Sequence, residues 1–187
     1  DILNTDAQYL SIELAKLGIS VIHQSTVGDN RERLLAQLDE AAKRSDIIIL
    51  SGGLGPTPDD LTKEVCCEFF GKEMFLHEPT VEKIKKYFSS KGIEMAQNNL
   101  KQAMLPKDCV IFPNDNGTAP GMAIEKDGVH ILVLPGPPRE LKPMFQNCAV
   151  PYLMQFSDRI IVSHNIRTFG IGESSMAENV NDLFDAQ

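Results

Sequence analysis

A glycine-rich segment that ends in two acidic residues is the part of the sequence best suited to chemistry. Residues 51–60 read SGGLGPTPDD and follow the apolar run 47–50, which predicts a buried strand. Glycines allow the backbone to approach a phosphate group, whose oxygens then accept hydrogen bonds from the amides. The segment matches neither the dinucleotide-binding fingerprint nor the Walker A loop. A glycine-bearing turn before a helix, with Thr57 as N-cap and Asp60 closing a capping box, is the alternative.

The acidic residues near this loop indicate a metal. Carboxylates of Asp59 and Asp60 would repel a bound phosphate unless a hard cation such as Mg²⁺ lay between them. Asp29 follows a second predicted strand, residues 19–27, and is expected at the same edge of the sheet. A pair of acidic residues from different loops predicts a metal–phosphate site. For each of them, N-capping of a helix is the alternative.

Two further glycine loops are expected to contribute to the same pocket. Residues 116–121 read NGTAPG, and residues 134–138 read LPGPP and precede a helix that begins at Arg139. Either loop alone is explained by an ordinary turn. Three such loops at strand ends in one small domain favour the walls of a single ligand pocket.

A helix predicted over Glu94–Leu105 adds polar side chains. Its Asn98, Lys101 and Gln102 have the i, i+3, i+4 spacing that places them on one helix face. This face is either solvated or supplies a cation and amides to phosphate or ribose.

The elements that position these loops alternate between helix and strand. Strand, helix, strand over residues 19–50 predicts a βαβ unit, and therefore an α/β fold with a mostly parallel sheet. Lys126-Asp127-Gly128 predicts a β-hairpin between two strands. We place the main domain at residues 1–157 and the start of a separate middle unit at 158–187. The other predicted elements are helices Thr5–Leu17, Asn30–Arg44, Leu61–Phe70, Pro79–Ser90, Arg139–Cys148 and Gly172–Phe184, and strands Val110–Phe112, Met122–Glu125, Val129–Leu134 and Arg159–Phe169.

Composition excludes several classes of protein. The chain has 187 residues, 42% of them hydrophobic, and a net charge of −8 from 18 basic and 26 acidic residues. Such a chain can bury one core, and it is poorly suited to bind nucleic acid or to span a membrane. Its four cysteines form no CxxC pair, which indicates reduced thiols and a cytoplasmic location.

Taken together and in this order, the motifs closely resemble the N-terminal domain of the CinA family of competence/damage-inducible bacterial proteins. These motifs are SGGLGPT with DDLTKE, NNLKQA, GTAPG and LPGPP, together with VGDN and FGIGE. The resemblance runs across essentially the whole chain. That domain belongs to the wider MoaB/MogA molybdopterin-binding fold, so the resemblance implies a three-layer α/β/α sandwich and a homodimer.

The resemblance also implies an activity, which is hydrolysis of ADP-ribose to AMP and ribose 5-phosphate with a divalent metal, Mg or Co. Asp29 and Asp60 would hold the metal, and Lys101 would stabilise charge during catalysis. The substrate, a small nucleotide, would be bound by residues of the three loops and of the polar stripe. These substrate-binding residues are Gly52, Gly53, Gly55, Thr57, Asn99, Gly117, Thr118 and Gly136.

Other roles remain open at this point. A molybdopterin- or nucleotide-binding module without hydrolysis is the main alternative, although Leu54 stands where molybdopterin relatives usually carry threonine. A scaffold role connected with competence has no direct support. Full-length CinA proteins continue into a nicotinamide mononucleotide deamidase domain, and we do not expect that activity of residues 1–187. The family's opening strand is expected to precede Asp1, and an open apolar slot is expected in its place.

Overall fold

The structure is a computed structural model that describes residues 3–156, 167 and 169–181. Helices and strands alternate between residues 31 and 90, and four strands follow one another between residues 104 and 134. In chain order they are α1 (Thr5–Lys16), α2 (Arg31–Ala42), β1 (Ile47–Ser51), α3 (Thr62–Phe69), β2 (Met74–Leu76), α4 (Glu78–Ser90), a 3₁₀ helix (Gln97–Ala103), β3 (Met104–Pro106), β4 (Val110–Phe112), β5 (Gly121–Lys126), β6 (Val129–Leu134), α5 (Pro138–Met144), a π-helical turn (Phe145–Ala149), α6 (Val150–Met154) and α7 (Glu173–Asn179).

The central sheet is mixed. Its strand order is β1-β6-β5-β4, in which β1 pairs with β6 in parallel and the other two pairs are antiparallel. A separate two-stranded sheet pairs β2 with β3. The α/β class is confirmed, but the expectation of a mostly parallel sheet is wrong for the described residues. The predicted hairpin accounts for one of the two antiparallel pairs, because the positive φ angles of Asp127 (54°) and Gly128 (82°) form a tight turn that makes β5 and β6 antiparallel.

The predicted strand over residues 19–27 is absent. These residues join no sheet and line a cavity of about 690 Å³ that also borders β1. An extended segment becomes a strand only when its backbone pairs with a neighbour, and here the amide of Ile19 bonds instead to the carbonyl of Leu14 at the end of α1 (3.0 Å). Apolar side chains of α1, α2 and β1 contribute to the lining of this cavity.

Side chains of the strands alternate between two cores, which gives the three layers. Ile131 and Val133 point into a core shared with α2 and α3. Leu132 and Leu134 point into a second core shared with α1, α5 and α6. The sheet is therefore covered by helices on both faces, and the three-layer sandwich expected from the sequence is confirmed.

Two predicted helices differ from the structure. Where the sequence predicts an α-helix over Glu94–Leu105, the chain forms the 3₁₀ helix and then β3. Where the sequence predicts a helix over Arg139–Cys148, the chain is helical from Pro138 to Met154, and the π-helical turn lies between α5 and α6.

The end of the chain is described in part. The predicted strand Arg159–Phe169 lies almost entirely outside the described residues, as do residues 182–184 of the last predicted helix; α7 lies within that predicted helix. Within the described part of the chain, no helix is both long and apolar enough to cross a bilayer.

Candidate functional site

The three glycine loops meet around a cavity of about 370 Å³. Each loop adjoins an end of β1, β5 or β6, and α4, the 3₁₀ helix and α5 complete the wall. Seven of the eleven site residues predicted from the sequence line it. The lining residues are Gly52, Gly53, Leu54, Gly55, Asp60, Tyr87, Gln102, Gly117, Thr118, Ala119, Pro135, Gly136, Pro137, Arg139 and Glu140.

The loop after β1 has a shape that requires glycine. Gly53 has φ of +66°, and a Cβ atom placed on it would lie 2.1 Å from Oγ1 of Thr62. The amide of Gly52 donates to the carbonyl of Leu134 (3.0 Å), which extends the β1–β6 pairing into the loop. A Cβ on Gly136 would approach Cα of Gly52 to 3.3 Å, so the first and third loops are closely packed.

Several backbone amides at this cavity are free to bind a ligand. Among the residues that the structure describes, the N–H groups of Gly53, Leu54 and Gly55 form no hydrogen bond, and neither do those of Gly117 and Thr118. Unpaired backbone donors need a partner, either water or a ligand. Consecutive free amides on glycine loops are typical of phosphate-binding sites.

The carboxylate of Asp60 lies next to Gly55 and accepts hydrogen bonds from a residue of the same loop. Its Oδ2 atom accepts hydrogen bonds from the amide of Thr57 (3.0 Å) and from the Thr57 hydroxyl. These bonds resemble the predicted capping box, but the chain makes a turn at this point. The helix α3 begins only at Thr62, after Leu61, which provides no side-chain cap. Thr57 itself is exposed and does not line the cavity.

Lys101 binds the loop and is not one of the residues that line the cavity. Its Nζ atom donates to the carbonyl oxygens of Thr57 (2.8 Å) and Asp60, and it lies 3.7 Å from the carboxylate of Glu64. The ammonium group therefore connects the 3₁₀ helix to the turn that carries Asp60.

The 3₁₀ helix also changes which polar residues share a face. With three residues per turn, Asn99 and Gln102 lie on the same side, and both are buried. The Asn99 amide donates to Oε1 of Gln102 (3.4 Å), and Gln102 donates to the carbonyl of Leu54 (3.4 Å). Gln102 lines the cavity and Asn99 supports it from behind. The predicted α-helical stripe of Asn98, Lys101 and Gln102 is therefore wrong.

Asp29 lies in a different place from Asp60. It is exposed and lines the larger cavity beside β1, which adjoins the smaller one at Gly52 and Gly53. Asp29 is not the N-cap of α2, because Asn30 has that position and accepts a hydrogen bond from the amide of Arg33 (3.0 Å). The described residues contain no group of three or more His, Cys, Asp or Glu side chains suited to a metal ion.

Sequence reasoning missed two side chains of the cavity. The Glu140 side chain is 11% exposed and accepts from Nδ2 of Asn114 (2.9 Å), which also donates to the carbonyl of Ala119 (2.9 Å). Its position directly after LPGPP, in the first turn of α5, is a signal that can be read from the sequence. Tyr87 comes from α4, and no motif marks it.

A buried lysine of α3 binds the backbone of the 3₁₀ helix. Lys63 is 3% exposed, and its Nζ atom donates to the carbonyls of Lys101 (3.0 Å) and Gln102 (3.1 Å). Burial lowers the pKa of its ammonium group to about 8. The neighbouring thiol of Cys67 has its pKa raised to about 12 by burial, and all four cysteines are free.

Comparison with known proteins agrees with this geometry. Residues 1–155 match the family described as "Probable molybdopterin binding domain". The crystal structure of "the protein CinA with unknown function" from Thermoplasma acidophilum superposes with a TM-score of 0.72 at 30% identity, over 82% of this chain and 88% of that one. The chain is a CinA-type member of the molybdopterin-binding domain family.

Other relatives agree with that assignment. A "CinA-like protein" of Dictyoglomus turgidum is 52% identical over 187 residues, which are 100% of this chain and 46% of that protein. The chain thus spans about half the length of the relatives it matches. The tungsten cofactor synthesizing protein MoaB from Pyrococcus furiosus shares the fold, with a TM-score of 0.51 at 19% identity over 85% of this chain and 88% of that one.

Proposed function

We propose that this CinA-type domain hydrolyses the diphosphate bond of ADP-ribose with a divalent cation, Mg²⁺ or Co²⁺, to give AMP and ribose 5-phosphate. The observation that carries the proposal is the combination of free backbone amides on glycine loops with the Asp60 carboxylate in one cavity. Amides suit phosphate oxygens, and a carboxylate suits a hard cation or the proton of a water molecule.

The charge balance of the cavity supports a role for a cation. Its charged lining residues are Asp60, Glu140 and Arg139, and the chain as a whole has a net charge of −8. A diphosphate that enters such a site meets net repulsion unless a cation accompanies it. When bound, a divalent ion neutralises phosphate oxygens and lowers the pKa of a coordinated water.

The donors present fit such an ion in part. Mg²⁺ is often held by only one or two carboxylates, with substrate phosphates and water completing its shell. Asp60 is one such carboxylate, and its Oδ2 atom is held in place by Thr57. Asp29 would be the second, from the neighbouring cavity that shares Gly52 and Gly53.

The remaining residues bind and orient the substrate. The amides of Gly53 and Gly55 would donate to one phosphate group, and Gly117 and Thr118 face it from the second loop. Lys101 would act as a positioning residue that holds the turn bearing Asp60. In these roles the chain would bind the substrate and hold the reacting groups in position.

The test is AMP release from ADP-ribose with Mg²⁺ or Co²⁺, measured chromatographically for the wild type and for D60N and D29N. We expect chelation to abolish turnover and D60N to lower kcat/KM by at least about 100-fold, which is the effect of several kcal/mol. The matched control is D39N, which removes an exposed carboxylate on α2 that pairs with Lys43. No AMP release by the wild type with either ion, or full turnover by D60N, would contradict the proposal.

A binding role without hydrolysis is the second candidate, and the description of the matching family favours it. The structure offers one argument against molybdopterin. Leu54 stands at a position where molybdopterin relatives usually carry threonine, so the chain offers no hydroxyl group at this point of the cavity lining, and the leucine packs in the core with α3 and β6. Tight molybdopterin binding by calorimetry, without AMP release from ADP-ribose, would favour this candidate over hydrolysis.

A further inference from the structure

We propose that the ring of Tyr87 is the stacking platform for the planar heterocyclic base of the ligand, and so determines which ligands this cavity selects. The inference rests on the proposed function in one respect only, since both place a phosphate-bearing ligand in the same cavity. It adds a specificity-determining residue from α4, an element outside the three glycine loops.

The position of Tyr87 is the first observation. It is half-buried on α4 and is the only aromatic side chain among the described residues that line the cavity of about 370 Å³. Other walls of the cavity are built from glycine loops, whose free amides suit phosphate. A cavity of this volume has room for more than a phosphate group, and pockets for nucleotide-sized ligands begin at about 300 Å³.

The packing of α4 gives no structural reason for this aromatic residue. The buried face of the helix consists of Val81 and Ile84, with Phe88 packed against them. Tyr87 belongs to none of the hydrophobic clusters of the described residues. A tyrosine that faces a cavity instead of a core presents its ring to whatever occupies that cavity.

Two neighbours fix the orientation of the ring. The Nζ atom of Lys91 lies 4.1 Å from the ring centroid and donates to the Tyr87 hydroxyl (2.6 Å). The ring of Phe88 meets it edge-on, with centroids 5.8 Å apart and an interplanar angle of 84°. These two contacts restrain the ring, one at its hydroxyl end and one at the ring of Phe88. An aromatic ring held in this way loses little conformational entropy when a base stacks on it.

The chemical class of the ligand follows from these features. Amides select phosphate and an aromatic face selects a flat aromatic ring, so the ligand combines a phosphate with a planar heterocycle such as a purine or a pterin. Stacking of a base on an aromatic side chain strengthens binding by about 5-fold to 150-fold. Sugar phosphates without a base should therefore bind more weakly to this cavity.

The test compares AMP with ribose 5-phosphate, which differ by the base, in calorimetric titrations of the wild type, Y87L and Y87F. We expect the wild type to bind AMP at least about 5-fold more tightly than ribose 5-phosphate. Y87F should keep this preference and Y87L should lose it, with the affinity for ribose 5-phosphate unchanged. F75L is the matched control, because Phe75 is an exposed aromatic residue outside the cavity. A pterin titrated in the same way identifies which ring the platform prefers.

The outcomes separate the two proposals. Equal affinity of the wild type for AMP and ribose 5-phosphate, or an unchanged preference in Y87L, overturns the inference even if ADP-ribose is hydrolysed. Conversely, a preference for AMP that depends on Tyr87, without AMP release from ADP-ribose, supports the inference and contradicts the proposed hydrolysis.

Discussion

Replacing Lys101 with methionine tests whether its ammonium group positions the Asp60 turn or contacts a substrate. The sequence suggests direct charge stabilisation, whereas the structure shows Nζ donating to the carbonyls of Thr57 and Asp60. Methionine has nearly the same length and volume and removes only the charge and the donors. The two interpretations predict different effects on stability and on turnover.

The loss of stability can be worked from these contacts. A hydrogen bond to a charged group contributes about 1.5–3 kcal/mol when it is shielded from water. The Lys101 side chain is 26% exposed, so water replaces part of each bond and we expect a total loss of about 2 kcal/mol. The pair with Glu64, at 3.7 Å, adds at most about 1 kcal/mol. A loss of about 2 kcal/mol lowers Tm by about 4–8 °C in a domain of this size.

Urea unfolding and AMP release, measured on the same preparations of K101M, decide between the interpretations. The matched control is K86M, which changes an exposed lysine on α4. If Lys101 positions the turn, K101M loses stability and its kcat/KM falls, and K86M changes neither. A free energy of unfolding within about 0.5 kcal/mol of the wild type, together with a roughly 100-fold or greater fall in kcat/KM, would refute positioning and indicate contact with the substrate.

Two further changes test the loop and its support. A Cβ atom added by G55A would lie 2.3 Å from Oδ2 of Asp60, so we expect the carboxylate to be displaced and kcat/KM to fall at least about 10-fold. The control is G172A, which adds a Cβ atom in open space. Equal activity of the two variants would contradict this reasoning. The folded state holds the Lys63 pKa near 8 against 10.5 for the free group, so between these values the unfolded chain binds more protons and Lys63 adds stability as pH rises. Relative to K63M, the free energy of unfolding of the wild type should increase by up to about 3 kcal/mol from pH 8 to 10.5, and a constant difference in urea titrations would show that folding does not lower the pKa of Lys63.

The 3₁₀ helix shows where sequence periodicity gives the wrong element. Spacing of i, i+3, i+4 is read as an α-helical face, but Asn98 and Asn99 have low helix propensity, and a tighter helix preserves only the i, i+3 relation. The pair with this relation that the structure buries is Asn99 and Gln102. Lys63 stabilises this choice, because its ammonium group binds two carbonyls at the end of the 3₁₀ helix. The sequence of the 3₁₀ helix gives no indication of this donor, because Lys63 belongs to α3.

Tyr87 was missed for a similar reason. Motifs reveal groups that adjoin in sequence, such as the glycines and Asp60 of one loop, and the ends of strands indicate which loops meet. Tyr87 reaches the cavity only through the packing of α4 against the 3₁₀ helix, by way of Ile84 and Ala103. That contact is tertiary and has no spacing of its own along the chain. Glu140 is intermediate, because it adjoins a recognisable loop although no charge pattern marks it.

The three loops converge because the central sheet contains both parallel and antiparallel strand pairs. β1 and β6 are parallel, with Ser51 opposite Leu134, so the loops after both strands leave at one edge of the sheet. β5 runs antiparallel to β6, with Met122 opposite Val133, so it begins at this same edge and the loop before it completes the cavity. In a fully parallel sheet, the loop that precedes β5 would lie at the opposite edge, away from Asp60. The predicted hairpin therefore brings the second glycine loop to the site.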